Sequence, residues 1–178
     1  MKKIISFLGY PRKNDSTAKV IEQVIAGAKS EGMQVISYYL NDNNIRVYQG
    51  YRWCCTLNDD LAGFYEQLKE AEDIVIGSPI YFMNITSQTK KIMNRLYLVR
   101  KDDGDSNLLG KKFVTVYTQG NSDKEMLKSV IDANNQVFKS FQWDMIDSIL
   151  YCGAVNTGES VAQNVMHKAF EAGRKLAG

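Results

Sequence analysis

The sequence has few of the residues that form disulfides, bind metals or interrupt helices and strands. Among 178 residues it has three cysteines, two prolines and one histidine. An odd number of cysteines without metal-ligand spacing argues against a disulfide framework and indicates reduced thiols. His167 has no carboxylate or thiolate at helical spacing, so it does not indicate a metal site. We therefore expect a cytoplasmic protein without a bound metal.

Long apolar runs and an excess of one charge are also missing. No run approaches the length of a transmembrane helix. The formal net charge of +2 is too small to indicate a nucleic-acid surface. The acidic run KDDGDS at residues 101–106 lacks the closing glutamate of an EF-hand loop, so we interpret it as a solvated loop. Neither a membrane nor a nucleic acid is expected as a partner.

Short apolar runs alternate with amphipathic helical stretches along the chain. Five runs have the length and composition of strands, and they lie at residues 4–8, 34–40, 74–77, 113–117 and 146–151. This alternation predicts parallel strands joined by right-handed crossovers, with helices on both faces. The chain therefore predicts one domain over residues 1–178. Its fold class is α/β, a flavodoxin-like three-layer sandwich with a five-stranded parallel sheet of order 2-1-3-4-5.

Unusual residues follow the first, third and fourth predicted strands, where a sheet of this order binds its ligands. The segments are GYPRKNDST at 9–17, GSPIYFMNIT at 77–86 and TQGNSD at 118–123. The first offers backbone amides at a helix start together with hydroxyl, amide and guanidinium donors, which suit a phosphate. The second offers flat aromatic side chains and polar groups, which suit a planar heteroaromatic ligand. The glycine of the third lets the backbone approach a ligand closely.

Each segment also has a purely structural interpretation. The first is compatible with a polar turn in which Asp15 or Ser16 is the helix N-cap. The second is compatible with a turn packed on the core in which Asn84 or Thr86 is the N-cap. Three such segments at the three positions where this fold places its site favour a binding site over three separate turns.

Several of these segments resemble those of one known family. GYPRKNDST is similar to the GSPRKNGNT phosphate loop of the NAD(P)H-dependent FMN reductases. GSPIYFMNIT resembles that family's GSPVYFGNVT loop and is the most specific part of the match. LGKKF at 109–113 and TQGN at 118–121 resemble the family's sequence before and after its fourth strand. The resemblance spans most of the chain.

The resemblance implies an enzyme that binds FMN and transfers hydride from NAD(P)H through the flavin to a small acceptor. The acceptor could be a quinone, a flavin or another aromatic, and family members commonly pair as homodimers through helices beside the flavin. The flavin supplies the chemistry, so we assign neither a catalytic side chain nor a metal ligand. The implied cofactor-binding residues are Arg12, Asn14, Ser16 and Thr17 for the phosphate, Pro79, Tyr81, Phe82, Met83 and Asn84 for the ring, and Thr118, Gln119 and Gly120 for its other side.

Three residues depart from the family pattern. Tyr10 replaces a serine, Asp15 puts a carboxylate near the phosphate, and Met83 replaces a glycine. If the backbone has a positive φ at Met83, the strain is of order a kcal/mol. Two alternatives stay open. The first is a flavodoxin-type electron carrier, against which the near-neutral charge counts, and the second is a flavin-free binding or regulatory domain of the same fold.

The long connection at residues 41–60 contains part of a pattern found in the iron–sulfur flavoproteins of the same family. YQGYRWC at 48–54 resembles their cysteine-bearing stretch, with Tyr48 and Tyr51 in place of two cysteines. Cys54, its neighbour Cys55 and the distant Cys152 do not supply four thiolates at the expected spacing. We expect no iron–sulfur cluster.

Overall fold

A computed structural model describes residues 2–50, 58–61, 63–97, 109–155 and 160–178. Cys54, Cys55 and the acidic run at 101–106 lie outside these residues, so the expectations about them stay predictions. The strands are β1 (Lys3–Leu8), β2 (Gln34–Tyr39), β3 (Asp73–Tyr81), β4 (Asn84–Ile85), β5 (Lys112–Gln119) and β6 (Asp144–Cys152). The helices are α1 (Ser16–Ser30), α2 (Phe64–Glu70), α3 (Ser87–Leu96), α4 (Lys128–Lys139) and α5 (Gln163–Ala177), with a short 3-10 turn at Leu40–Asp42.

The main sheet is parallel and has the order β2-β1-β3-β5-β6. The prediction of a five-stranded flavodoxin-like sheet is therefore confirmed. The short strand β4 is an addition that the sequence did not predict, and it pairs antiparallel with the end of β3. Among the described residues, no helix has both the length and the apolar character needed to cross a membrane.

Each face of the sheet carries its own apolar core. Alternate residues of a strand point to opposite faces. In β1, Ile5 and Phe7 therefore join the core that also holds Phe64 of α2, while Ile4 and Leu8 join the core that holds Val24 of α1. This alternation fixes the register of β1, because a slip of one residue would exchange its two faces.

Strands β3 and β5 run farther toward the candidate site than their apolar runs predict. Their pairing continues through Ser78 with Tyr117 and Pro79 with Thr118. Strand β1 pairs with β3 only as far as Gly77, so Pro79 lies beyond that pairing and its missing N–H costs the sheet little. Pro79, Tyr81, Thr118 and Gln119 are therefore strand residues, where the sequence alone placed them in loops.

A buried ion pair fastens the connection after β2 to α3. Arg95 Nη1 lies 2.7 Å from Asp59 Oδ2, and both side chains are fully buried. The backbone N–H groups of Arg46 and Leu61 also donate to the Asp59 carboxylate, at 3.0 and 3.1 Å. Burial opposes ionisation of Asp59, but the hydrogen bonds from Arg95 and the backbone prevail and lower its pKa. This pair holds two segments of the connection in place.

The turn between β3 and β4 is strained. Tyr81 pairs with Asn84, which leaves Phe82 and Met83 as the two connecting residues, and their φ angles are 45° and 63°. Such hairpin turns favour glycine or asparagine because other residues pay for positive φ. The sequence predicts strain at Met83 if its φ angle is positive, and the structure shows that it is positive.

Replacing Met83 with glycine is expected to raise the free energy of unfolding by about 0.5–1 kcal/mol. Relief of the left-handed strain outweighs the greater chain entropy that glycine brings to the unfolded state. Urea unfolding of the Met83→Gly variant beside the wild type measures the difference. A loss of stability would show that side-chain contacts of Met83 matter more than its backbone strain.

Candidate functional site

A cleft lies at the carboxyl edge of the sheet, between the start of α1 and the ends of β3 and β5. Its lining combines hydroxyl, amide, carboxylate and aromatic side chains with backbone. The lining residues are Tyr10, Asp15, Ser16, Thr17, Pro79, Ile80, Tyr81, Thr118, Gln119, Gly120 and Ala154. The topology places the cleft where open α/β sheets bind ligands.

Seven of the twelve residues chosen from the sequence line this cleft together. They are Ser16, Thr17, Pro79, Tyr81, Thr118, Gln119 and Gly120. The other five lie beside it: Arg12 and Asn14 are exposed on the loop before α1, and Phe82, Met83 and Asn84 are exposed at the β3–β4 turn. Asn84 uses its side-chain oxygen to accept from the Ile85 N–H at 2.9 Å.

Four lining residues were not among the predicted ligands. Tyr10 stood out only as a departure from the family pattern, and Asp15 as such a departure and as a helix-cap candidate. Ile80 belongs to a segment chosen for its other residues. Ala154 follows β6, so the rule that ligands bind at strand carboxyl ends, applied to the last strand, was the signal that could have found it.

The start of α1 is capped by Asp15. Its carboxylate accepts from the Ser16 N–H at 2.8 Å, and its Oδ2 lies 3.8 Å from Arg12 Nη1. The structural interpretation of Asp15 as the helix N-cap is thus confirmed. The same carboxylate lines the cleft, so a negative charge already lies at the positive end of the helix.

Two buried polar atoms in the cleft wall have no hydrogen-bond partner among the described residues. They are Ser16 Oγ and Gln119 Oε1, and both residues are only 2% exposed. Gln119 spends its amide nitrogen on the carbonyl oxygens of Asn121 and Asp123, at 3.1 and 2.6 Å, which orients the side chain. An unsatisfied buried group costs about 1–3 kcal/mol, so both atoms point to a polar ligand.

A hydrogen bond joins the two sides of the cleft. The hydroxyl oxygens of Thr17 in α1 and Thr118 in β5 lie 2.7 Å apart and are buried. This contact holds the helix start against the end of β5.

Two tyrosines form an aromatic wall. The rings of Tyr10 and Tyr81 lie 5.9 Å apart between centroids, and the Arg12 guanidinium lies 5.6 Å from the Tyr10 ring centroid. Partial burial, followed by the hydrogen bond to Tyr10, raises the pKa of Tyr81 well above its ordinary value. The Tyr81 phenol therefore stays neutral at physiological pH and can donate a hydrogen bond.

Thr86 connects the segment after β3 to the segment after β1. Its hydroxyl oxygen accepts from the Thr89 N–H at 3.3 Å, which makes it the N-cap of α3, and its hydroxyl donates to the Gly9 carbonyl. A Cβ on Gly9 would lie 1.7 Å from Thr89 Oγ1, so only glycine fits this approach. Asn84 and Thr86 were both considered from the sequence as the N-cap of this helix, and Thr86 is the one observed.

Comparison with known proteins decides the family. Residues 2–153 match the NADPH-dependent FMN reductase family. The chain belongs to this family. It is therefore related to flavin oxidoreductases that use FMN as cofactor and NAD(P)H as reductant, and the resemblance drawn from its loops is confirmed.

Individual relatives agree with this placement. An iron–sulfur flavoprotein of Methanosarcina thermophila is 24% identical over 136 residues, which cover 73% of this chain and 71% of that protein. An iron–sulfur flavoprotein of Archaeoglobus fulgidus is 30% identical over 122 residues, which cover 66% of this chain but only 59% of that protein. The crystal structure of an FMN-dependent NADH-azoreductase of Bacillus anthracis in complex with FMN superposes with a TM-score of 0.74 at 16% identity. It covers 99% of this chain and 100% of that one, and it shows the shared fold.

The donor set of the cleft suits FMN, with one exception. The start of α1 and the unpartnered Ser16 hydroxyl suit a phosphate, and the unpartnered Gln119 oxygen suits a ring N–H donor. Tyr10 and Tyr81 supply aromatic surface. The exception is Asp15, whose carboxylate repels a phosphate at the same helix start.

Proposed function

We propose that the chain is an FMN-dependent reductase that takes hydride from NAD(P)H and reduces a small acceptor such as a quinone, a flavin or another aromatic. The observation that carries the proposal is the pair of buried, unpartnered polar atoms, Ser16 Oγ and Gln119 Oε1, in the cleft at the sheet's carboxyl edge. The proposal includes a single domain over residues 1–178, a cytoplasmic location and a homodimer.

The proposed roles of the residues follow their positions. Ser16 and Thr17 hold the phosphate at the start of α1, and Arg12 and Asn14 close over it from the exposed loop. Pro79 and Tyr81 line the ring, while Thr118, Gln119 and Gly120 flank its other side. Phe82, Met83 and Asn84 are exposed in the turn that follows the cleft residue Tyr81, and their proposed role is to contact the nicotinamide or the acceptor.

Bound FMN supplies the redox chemistry, because the flavin both accepts hydride and releases electrons. The cleft residues would hold and orient the ring for its reductant and its acceptor. No side chain is proposed as a general acid or base, since hydride transfer to a flavin does not require one.

We further propose that the chain holds no iron–sulfur cluster, unlike what the names of its curated relatives indicate for those proteins. Tyrosines stand at two positions of the cysteine pattern. The remaining described cysteine, Cys152, ends β6, and burial raises the pKa of its thiol, which disfavours the thiolate a cluster requires.

Anaerobic reduction of the FMN-loaded protein tests this function. Adding NADH or NADPH should bleach the flavin absorbance, and adding a quinone should restore it over repeated cycles. Bound flavin that neither nucleotide reduces would instead indicate an electron carrier. Failure to bind flavin at all would indicate a flavin-free domain of the same fold.

A further inference from the structure

We propose that Asp15 weakens the preference of the cleft for FMN over riboflavin, by holding a built-in anion where the phosphate of FMN would bind. The consequence is a cleft that discriminates little between FMN and the unphosphorylated flavin, riboflavin. This inference rests on the proposed flavin site and adds to it a specificity that the family assignment does not supply.

The Asp15 carboxylate lies at the helix start, where a phosphate would bind. Asp15 Oδ1 accepts the Ser16 N–H at 2.8 Å, which is one of the backbone donors at the helix start that an incoming anion would use. Asp15 also lines the cleft, and its side chain is only 16% exposed. Water therefore screens this charge less than it would screen a charge on an open surface.

Two side chains beside Asp15 bear on its effect on a phosphate. Arg12 Nη1, at 3.8 Å from Asp15 Oδ2, is drawn into an ion pair with the carboxylate. Thus a phosphate competes with Asp15 both for the helix start and for the Arg12 guanidinium. The Ser16 hydroxyl is still without a partner, so the site is built for a polar group beyond the one that Asp15 supplies.

Charge decides the sign of the effect. Two like charges about 4–6 Å apart repel by several kcal/mol even at the effective dielectric of a protein surface, before relaxation and salt reduce the effect. A neutral hydroxyl at the end of the flavin side chain meets no such repulsion. The aromatic and amide contacts to the ring are the same for both flavins, so the difference between them isolates the phosphate end.

Asp15→Asn is the informative substitution because asparagine caps helices about as well as aspartate and has nearly the same shape. Dissociation constants of FMN and riboflavin for the wild type and the variant are measured by quenching of flavin fluorescence. FMN binding should tighten by about tenfold in the variant, while riboflavin binding should change by less than about twofold. Asp144→Asn is the matched control, since it removes the same charge at the amino end of β6, at the opposite edge of the sheet, and should leave both constants unchanged.

The outcomes separate this proposal from the function on which it rests. If Asp15→Asn tightens FMN alone, the proposal is supported. If both flavins bind and the ratio of their dissociation constants is the same in wild type and variant, the proposal is overturned while the flavin site stands. The same conclusion follows if FMN binds more weakly to the variant than to the wild type. If neither flavin binds to either protein, the flavin site and this proposal fail together.

Discussion

Replacing Arg95 with methionine is expected to lower the free energy of unfolding by about 3–5 kcal/mol, the largest stability effect that we predict for a single substitution. The change leaves the Asp59 carboxylate buried without its cation, and it removes the anchor between α3 and the connection after β2. Urea unfolding monitored by circular dichroism measures the loss. Arg174→Met is the matched control, because the Arg174–Glu31 pair is exposed and should contribute less than about 1 kcal/mol.

The pH dependence distinguishes charge from packing. In the wild type the pKa of Asp59 is lowered, so its contribution to stability is full above the unfolded-state pKa and is lost as the pH falls through the folded-state value. Without Arg95, burial dominates and favours the protonated acid. The difference in the free energy of unfolding between the wild type and Arg95→Met should therefore be smaller at acidic pH than at neutral pH. A difference that is the same at neutral and acidic pH would mean that lost packing, not the unpaired carboxylate, causes the destabilisation.

Replacing Gly120 with tryptophan is expected to weaken flavin binding by at least about 100-fold, or about 2.7 kcal/mol, with little change in stability. Gly120 lines the cleft, and a Cβ there would have the Ala154 carbonyl oxygen as its nearest neighbour, at 3.9 Å. Its φ is not positive, so a larger residue meets no backbone strain. The indole would therefore fill the space proposed for the ring without disturbing the core.

Gly120→Ala is the control at the same position, because one methyl group leaves most of the cleft open. Flavin titration and thermal unfolding of both variants are compared with the wild type. Flavin affinity that survives in Gly120→Trp with an unchanged melting temperature would place the ring elsewhere. A collapse of stability in that variant would show that Gly120 has a structural role that its open surroundings do not reveal.

The fold was predictable because its strands are short apolar runs and its helices have an apolar face. The five runs appear in the structure as β1, β2, β3, β5 and β6, in the expected order. The ends were less accurate, since Pro79 and Thr118 read as loop residues although pairing with neighbouring strands keeps them in the sheet. The strand β4 was missed because a two-residue turn of Phe82 and Met83 carries none of the residues that usually signal a hairpin.

The site was predictable in composition but not in the direction of its side chains. Ser16 and Gln119 were chosen for their chemistry, and the structure adds that each keeps a buried atom unpartnered in one cleft. Arg12 and Asn14 were chosen on the same grounds, yet they lie exposed beside it. Asp15 was considered as a helix cap from the sequence, but its second role in the cleft wall depends on tertiary packing that spacing along the chain does not reveal.

The proposed function requires the cleft at the start of α1 to hold FMN. The most direct test is the visible spectrum of the purified protein during titration with FMN, compared with the Gly120→Trp variant. The wild type should perturb the flavin absorption bands and quench the flavin fluorescence in a saturable way, and the variant should do neither at the same concentrations. A wild type that leaves the spectrum and fluorescence of FMN unchanged, while it remains folded, would show that the cleft does not hold FMN.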